Sequence, residues 1–254
     1  MIKKIPKRLK KNPIQEALFE IRFQPTKEVS PSEILPGIFF SYGAEKLGLE
    51  NIESLMPPIP KELLVQDERL NFIPLVRISG ARVGIQIGHQ ISSISYLAPY
   101  EGWEVFRNYI DEFLSILNRI KNKIFMSFSR FSLKYVNLLE GINEITSLDL
   151  NITIENYPIQ QEKTALAIEL SENDCVIILT INSDAIIQVK DNTKRGLLLA
   201  IDVIKNLPDN YAHPAKAIEF IEKELDTLHE IEKKWFFKLL RKETVDKLEP
   251  EYDG

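Results

Sequence analysis

A single cysteine, Cys175, stands among the 254 residues, so no internal disulfide can form and a reducing compartment is expected. No apolar run approaches the roughly 18 residues that a membrane-spanning helix needs. The basic opening MIKKIPKRLKKNP leads into no apolar segment of the secretory type. A cytoplasmic protein that makes no use of a membrane is the expectation. Motifs of the commoner chemistries are missing too. There is no GxGxxG or GxxxxGK[ST] to cradle a phosphate, no GxSxG nucleophile elbow and no HExxH zinc pair. Only three histidines occur, and they are scattered. His89 falls in an expected turn, His213 precedes Pro214, and His229 lies in an expected helix where the i+4 residue is Lys233, a poor metal ligand. Neither a metal nor a cofactor is expected, and Cys175, within DCVIILTI, reads as a small core residue.

What the chain has is charge, unevenly placed. The net charge is −5, yet residues 1–11 carry Lys3, Lys4, Lys7, Arg8, Lys10 and Lys11 and no acid, leaving about −11 for the rest. Such an acidic body repels nucleic acid at long range, so contact with it is expected only through this basic tail, which reads as a flexible, solvated arm.

The folded part is expected to begin at Asn12. In NPIQEALFEIRF, Ala17, Phe19, Ile21 and Phe23 alternate with Glu16, Leu18, Glu20 and Arg22, as in a half-buried strand. A short helix is expected from about Ser30 to Leu47, ending at Gly48. Residues 49–70, with Pro57, Pro58 and Pro60, show no sustained period and read as a long loop suited to partner contact. NFIPLVRIS, RVGIQIG and ISSISYL form a three-strand meander, and Phe106, Tyr109, Ile110, Phe113, Leu117 and Ile120 then give the stripe of an amphipathic helix. FSRFSLKYVN returns as a strand.

Further strands are expected near residues 147–155, 163–171, 174–182 and 184–190, with Glu172–Asn173 and Ser183–Asp184 as turns. GLLLAIDVIKN reads as a buried strand, with a short helix as the other reading of an apolar run that period alone does not separate. After Pro214 the spacing of Ile218, Ile221, Leu225, Leu228, Ile231, Trp235 and Leu239 predicts a helix of about 30 residues. The expected class is α+β: antiparallel sheets with helices packed on one face and a long C-terminal helix. Residues 12–140 and 141–254 each read as strands leading into a helix, which suggests two similar meander-and-helix units side by side, with one continuous domain as the other reading.

PIQEALFEIRF, the GWxxF of Gly102, Trp103 and Phe106, RFSLKYVN, the AIDV of residues 200–203 and LDTLHEIEKKWFFKLL occur in this order over nearly the whole chain. In them the chain resembles a sporadically distributed prokaryotic family of about 250 to 270 residues with no established activity. That patchy distribution implies genes of mobile-element, defence or toxin and antitoxin loci, and hence a protein partner encoded nearby.

Two spacings touch on catalysis. Arg82 and His89 match the R-x6-H of certain helical ribonucleases, but the intervening residues alternate as a strand. Asp174 or Asp184 with Gln188 and Lys190 resembles the acid and [DEQ]xK dyad of metal-dependent nucleases. The candidate binding set is instead the charge on strand faces: Glu16, Glu20 and Arg22 on the first strand, Arg130 and Lys134 on the returning one, with Tyr135 and Asn137 at the end of the groove. Leu225, Leu228, Trp235 and Phe236 of the last helix are the candidate homodimer interface, because Trp235, Phe236 and Phe237 are consecutive and span over half its circumference. A non-catalytic protein-interaction or ligand-binding module is the favoured reading. The alternative is a metal-dependent nuclease or other small-substrate enzyme using charges on the sheet.

Overall fold

The structure, a computed structural model, describes residues 5–26, 29–57, 59–189 and 192–252. In chain order the elements are β1 (Arg8–Leu9), β2 (Ile14–Pro25), α1 (Pro31–Leu47), β3 (Leu49–Ser54), α2 (Lys61–Gln66), β4 (Val76–Gly80), β5 (Val83–Ile87), β6 (Ile91–Leu97), α3 (Trp103–Ile124) and β7 (Phe125–Glu140). There follow β8 (Thr153–Ile154), β9 (Tyr157–Pro158), β10 (Ala165–Glu172), β11 (Cys175–Val189), β12 (Asn192–Asn206), α4 (Pro214–Leu239), α5 (Lys242–Lys247) and β13 (Pro250–Glu251). The class is α+β, built on a large antiparallel sheet whose strand order is β10-β11-β12-β7-β2-β6-β5-β4-β3. No helix among the described residues is long and apolar enough to cross a membrane.

The chain separates into two compact units, each discontinuous in sequence: Met1–Glu16, Lys134–Val203 and Thr227–Gly254 form the first, and Ala17–Leu133 and Ile204–Asp226 the second. Strands β2, β7 and β12 and helix α4 each contribute residues to both units.

In the second unit, alternation decides which face of each strand is buried. Ala17, Phe19, Ile21 and Phe23 are at most 1% exposed. They turn to the helices, where the Phe19 ring meets Phe113 of α3 edge-on at 6.1 Å and Phe39 of α1 stacks on Phe113 at 5.1 Å. The α3 stripe of Phe106, Ile110, Phe113, Leu114 and Leu117 is wholly buried, each such side chain contributing about 1.5–3 kcal/mol. GWxxF is structural here. Gly102 adopts φ +120°, a conformation open to glycine, Phe106 enters the core, and Trp103 Nε1 donates to Asp226 at 2.8 Å. Arg107 adds a bond from Nη2 to the Glu222 carbonyl at 3.0 Å and an ion pair with Asp226 at 3.3 Å, and Phe220 meets Phe131 at 6.3 Å. The first half of α4 is thereby fixed against α3 and β7.

In the first unit, the Leu138 N–H donates to the Pro13 carbonyl and the Gly141 N–H to that of Arg195, which set antiparallel registers on either side of β7. Gly196 is required, because a Cβ there would lie 2.3 Å from the Leu139 carbonyl oxygen. GLLLAIDVIKN is indeed strand, with Leu197, Leu199, Ile201 and Val203 fully buried.

Four local expectations are corrected. Residues 49–70 are not one loop: β3 pairs with β4, α2 follows, and a 3-10 turn covers Glu68–Phe72. Ser183–Asp184 does not turn the chain; β11 runs through it, with Asp184 at φ +58°. Of the strand expected at 147–155 only the two-residue β8 forms. The basic tail is not free from Ile5 onward, since β1 pairs with β13 and Lys10 and Lys11 sit 3.8 and 2.8 Å from Glu251 and Glu249. Lys3 and Lys4 lie outside the described residues. The last helix is 26 residues and is followed by the short α5.

Candidate binding face

The registers of β3, β4, β5 and β6 sort the second unit's sheet into rows. Ile52, Ile78, Ile85 and Ile94 are consecutive cross-strand partners on one face. The rows beside them have the opposite character. Glu53, Arg77, Gln86 and Ser93 are partners in turn, as are Asn51, Ser79, Gly84 and Ser95. Since Tyr96 packs on Phe106 and Tyr109 of α3, the odd-numbered Ser93 and Ser95 look away from the helices. This face is therefore polar, open at Asn51 and Glu53 but buried at Ser93 and Ser95, and behind it Ile78, Ile85 and Ile94 are dry while Ile52 at the edge is 48% exposed. The Arg77 and Glu53 side chains pair across it at 3.4 Å.

On β2 and β7 the same face carries the charges singled out in the sequence. Arg22 Nε donates to Glu20 Oε1 at 3.0 Å, and Arg130 Nη2 lies 3.5 Å from the same oxygen, so one carboxylate is shared between two guanidinium groups. All three side chains are only partly exposed, at 24%, 18% and 26%. The cover over Arg22 is Phe72, which was expected to open the first meander strand and instead ends the 3-10 turn Glu68–Phe72, with the guanidinium carbon 4.1 Å from the ring centroid. Held by a carboxylate at its side and a ring on its face, Arg22 keeps a fixed orientation, which lowers the entropy cost of meeting a ligand.

Glu20, Arg22 and Arg130 are thus brought together, and the other candidates are placed elsewhere. Glu16 and Lys134 lie on the first unit's parts of β2 and β7, each half-buried. Asn137 is not at the end of a groove: it is 2% exposed and its Nδ2 donates to the Leu199 carbonyl at 3.3 Å. Tyr135 is buried on the same side, 3.3 Å from His229 Nδ1. The candidate dimer residues are also accounted for within the chain. Leu225 and Leu228 are fully buried and Phe236 is 6% exposed. Trp235 is half-buried, donates to Glu172 at 3.0 Å and lies under Lys238 at 4.1 Å.

The catalytic spacings do not assemble. Arg82 and His89 flank the five-residue β5 and so lie at its two ends, roughly 20 Å apart at about 3.3 Å per residue. Arg82 pairs with Glu101 and the Tyr96 hydroxyl, while burial depresses the His89 pKa. Asp184 is held by Arg195 and by Lys163 at 3.2 Å, and these cations pull its pKa down to about 2. Lys190 lies outside the described residues. No group of three or more His, Cys, Asp or Glu among the described residues could hold a metal ion.

Arg77, Gln86, Ser93 and Phe72 were not singled out in the sequence. The alternation of RISG, GIQI and ISSIS carried the first three, because every second residue is polar. Nothing in the sequence placed Phe72 over Arg22. In comparisons with known proteins, no family model and no curated protein matches the chain.

Proposed function

We propose that the chain is a non-catalytic binding module that receives an extended polar segment of a partner protein on the face of its second unit that is turned away from α1 and α3. The observation that carries this reading is the Arg22–Glu20–Arg130 cluster, three charges held partly exposed beside two polar rows. Such a surface offers side-chain donors and acceptors at the strand repeat, which suits a segment that is itself extended. Arg77 and Glu53 at the far side of the same face add a second charge pair for register.

The resemblance to a patchily distributed family supports a partner encoded near this gene, as in a defence, mobile-element or toxin and antitoxin locus. Two similar units are part of the same reading, and the element order supports it: β4-β5-β6-α3 and β10-β11-β12-α4 are each a three-strand run followed by a long helix.

Co-purification from the native operon followed by mass spectrometry tests the proposal. The wild-type chain is expected to retain a defined partner that the Arg22→Ala/Arg130→Ala variant loses. The melting temperature of that variant is expected to stay within a few degrees, because partly exposed ion pairs contribute about 1 kcal/mol or less. If the double variant unfolds, the cluster belongs to the core and the reading fails. A folded variant that keeps the same partner also defeats it.

A further inference from the structure

The first unit contains a cleft of about 650 Å³ where the start of β2, the end of β7, the start of β12 and the end of α5 meet. Its volume lies within the roughly 300–1,000 Å³ range of small-molecule sites. Three lysines from three parts of the chain line it: Lys11, Lys194 and Lys247. Lys11 is held by Glu249 at 2.8 Å and Lys194 by Glu140 at 3.4 Å. Lys247 has no ion-pair partner among the described residues. Gln15, also in the lining, donates its Nε2 to the Pro13 carbonyl at 2.9 Å, and its Oε1 is buried with no hydrogen-bond partner among the described residues.

We propose that this cleft binds a small phosphate monoester, its phosphate held by Lys11, Lys194 and Lys247 and a donor elsewhere on the molecule meeting Gln15 Oε1. Ammonium groups act as point charges on flexible stems, and a phosphate's three outer oxygens can engage three of them at once, where a carboxylate offers two. The orphaned Gln15 oxygen requires an N–H or O–H, and a sugar phosphate has hydroxyls set apart from its phosphate that can meet it while all the phosphate oxygens stay with the lysines. A polymer of phosphates is disfavoured by the −5 net charge of the chain. Because Glu140 and Glu249 already hold two of the lysines, the phosphate must displace or share them, and binding is expected to be modest and steeply salt-dependent.

Titration of the full chain with ribose 5-phosphate, ribose, inorganic phosphate, acetate and a short single-stranded RNA tests this. Ribose 5-phosphate is expected to bind more tightly than inorganic phosphate and much more tightly than ribose. Lys194→Ala/Lys247→Ala should weaken it about tenfold or more, and Gln15→Met should abolish its advantage over inorganic phosphate. Amide shifts in the wild-type chain give a readout independent of variant folding, with Gly141 and the Gln15 side-chain amide expected to move. No shift at these groups with millimolar ribose 5-phosphate overturns the proposal. Equal binding of ribose or acetate overturns the phosphate assignment, tighter binding of RNA overturns the small-molecule one, and an unchanged preference in Gln15→Met removes Gln15 from the site.

Discussion

Glu232 is the residue whose environment most contradicts its chemistry. It sits on α4 with 5% exposure, and burial outweighs the nearby Lys233 charge and pushes its pKa up to about 8. Unfolded, the carboxyl titrates near its ordinary value of 4.5. Its folded pKa is raised, so the stability associated with the protonated form is complete below about pH 4.5 and is lost as pH rises through about 8, on the order of 1 kcal/mol per unit. The melting temperature of the wild-type chain is therefore expected to fall between pH 5 and 8.5, and that of Glu232→Gln to stay flatter over the same range. Parallel curves for the two would remove the claim. None of this was legible in the sequence: Glu232 follows Ile231 in an ordinary helical pattern, and only the packing of α4 shows that its side of the helix is dry.

Among the elements, the strongly periodic ones could be read directly. Helices α1, α3 and α4 and strands β2, β5, β6 and β7 lie where spacing placed them, β4 forms only from Val76 of the run that began at Asn71, and Glu20 and Arg22 of β2 meet Arg130 of β7 while Glu16 and Lys134 do not join them. What escaped was pairing that depends on a distant partner. LENIES has no apolar alternation of its own and becomes strand β3 through its hydrogen bonds to β4, with five of its six residues exposed. Two glycines give opposite expectations for the same substitution. Gly196→Ala should cost several kcal/mol, since its Cβ would meet backbone that cannot move without breaking the β7–β12 ladder. Gly37→Ala, in α1 with no atom within 4 Å of the added Cβ, should stabilise by about 0.5–1 kcal/mol. Urea denaturation of the two variants beside the wild type decides both, and a neutral Gly196→Ala would show that β12 can slide away from β7.

For the molecule as a whole, the consequence of discontinuous units is that no single cut in the chain releases either one. Reading the sequence in order suggested residues 12–140 as a first strand-and-helix unit, because local periodicity says nothing about which later segment completes a core. The second unit needs Ile204–Asp226 from far downstream. That segment supplies Phe220, which meets the Phe131 ring, and Asp226, which accepts from Trp103 and pairs with Arg107. A fragment of residues 12–140 would expose Phe131 and leave the start of α3 without its carboxylate, losing apolar burial at about 25 cal/mol per Å² from a margin of only about 5–15 kcal/mol. It is expected to show no cooperative thermal transition by circular dichroism and to bind a hydrophobic dye, while the full chain melts sharply. A fragment that melts cooperatively with full helical signal would show that the downstream segment is dispensable and that the second unit folds from its first stretch alone.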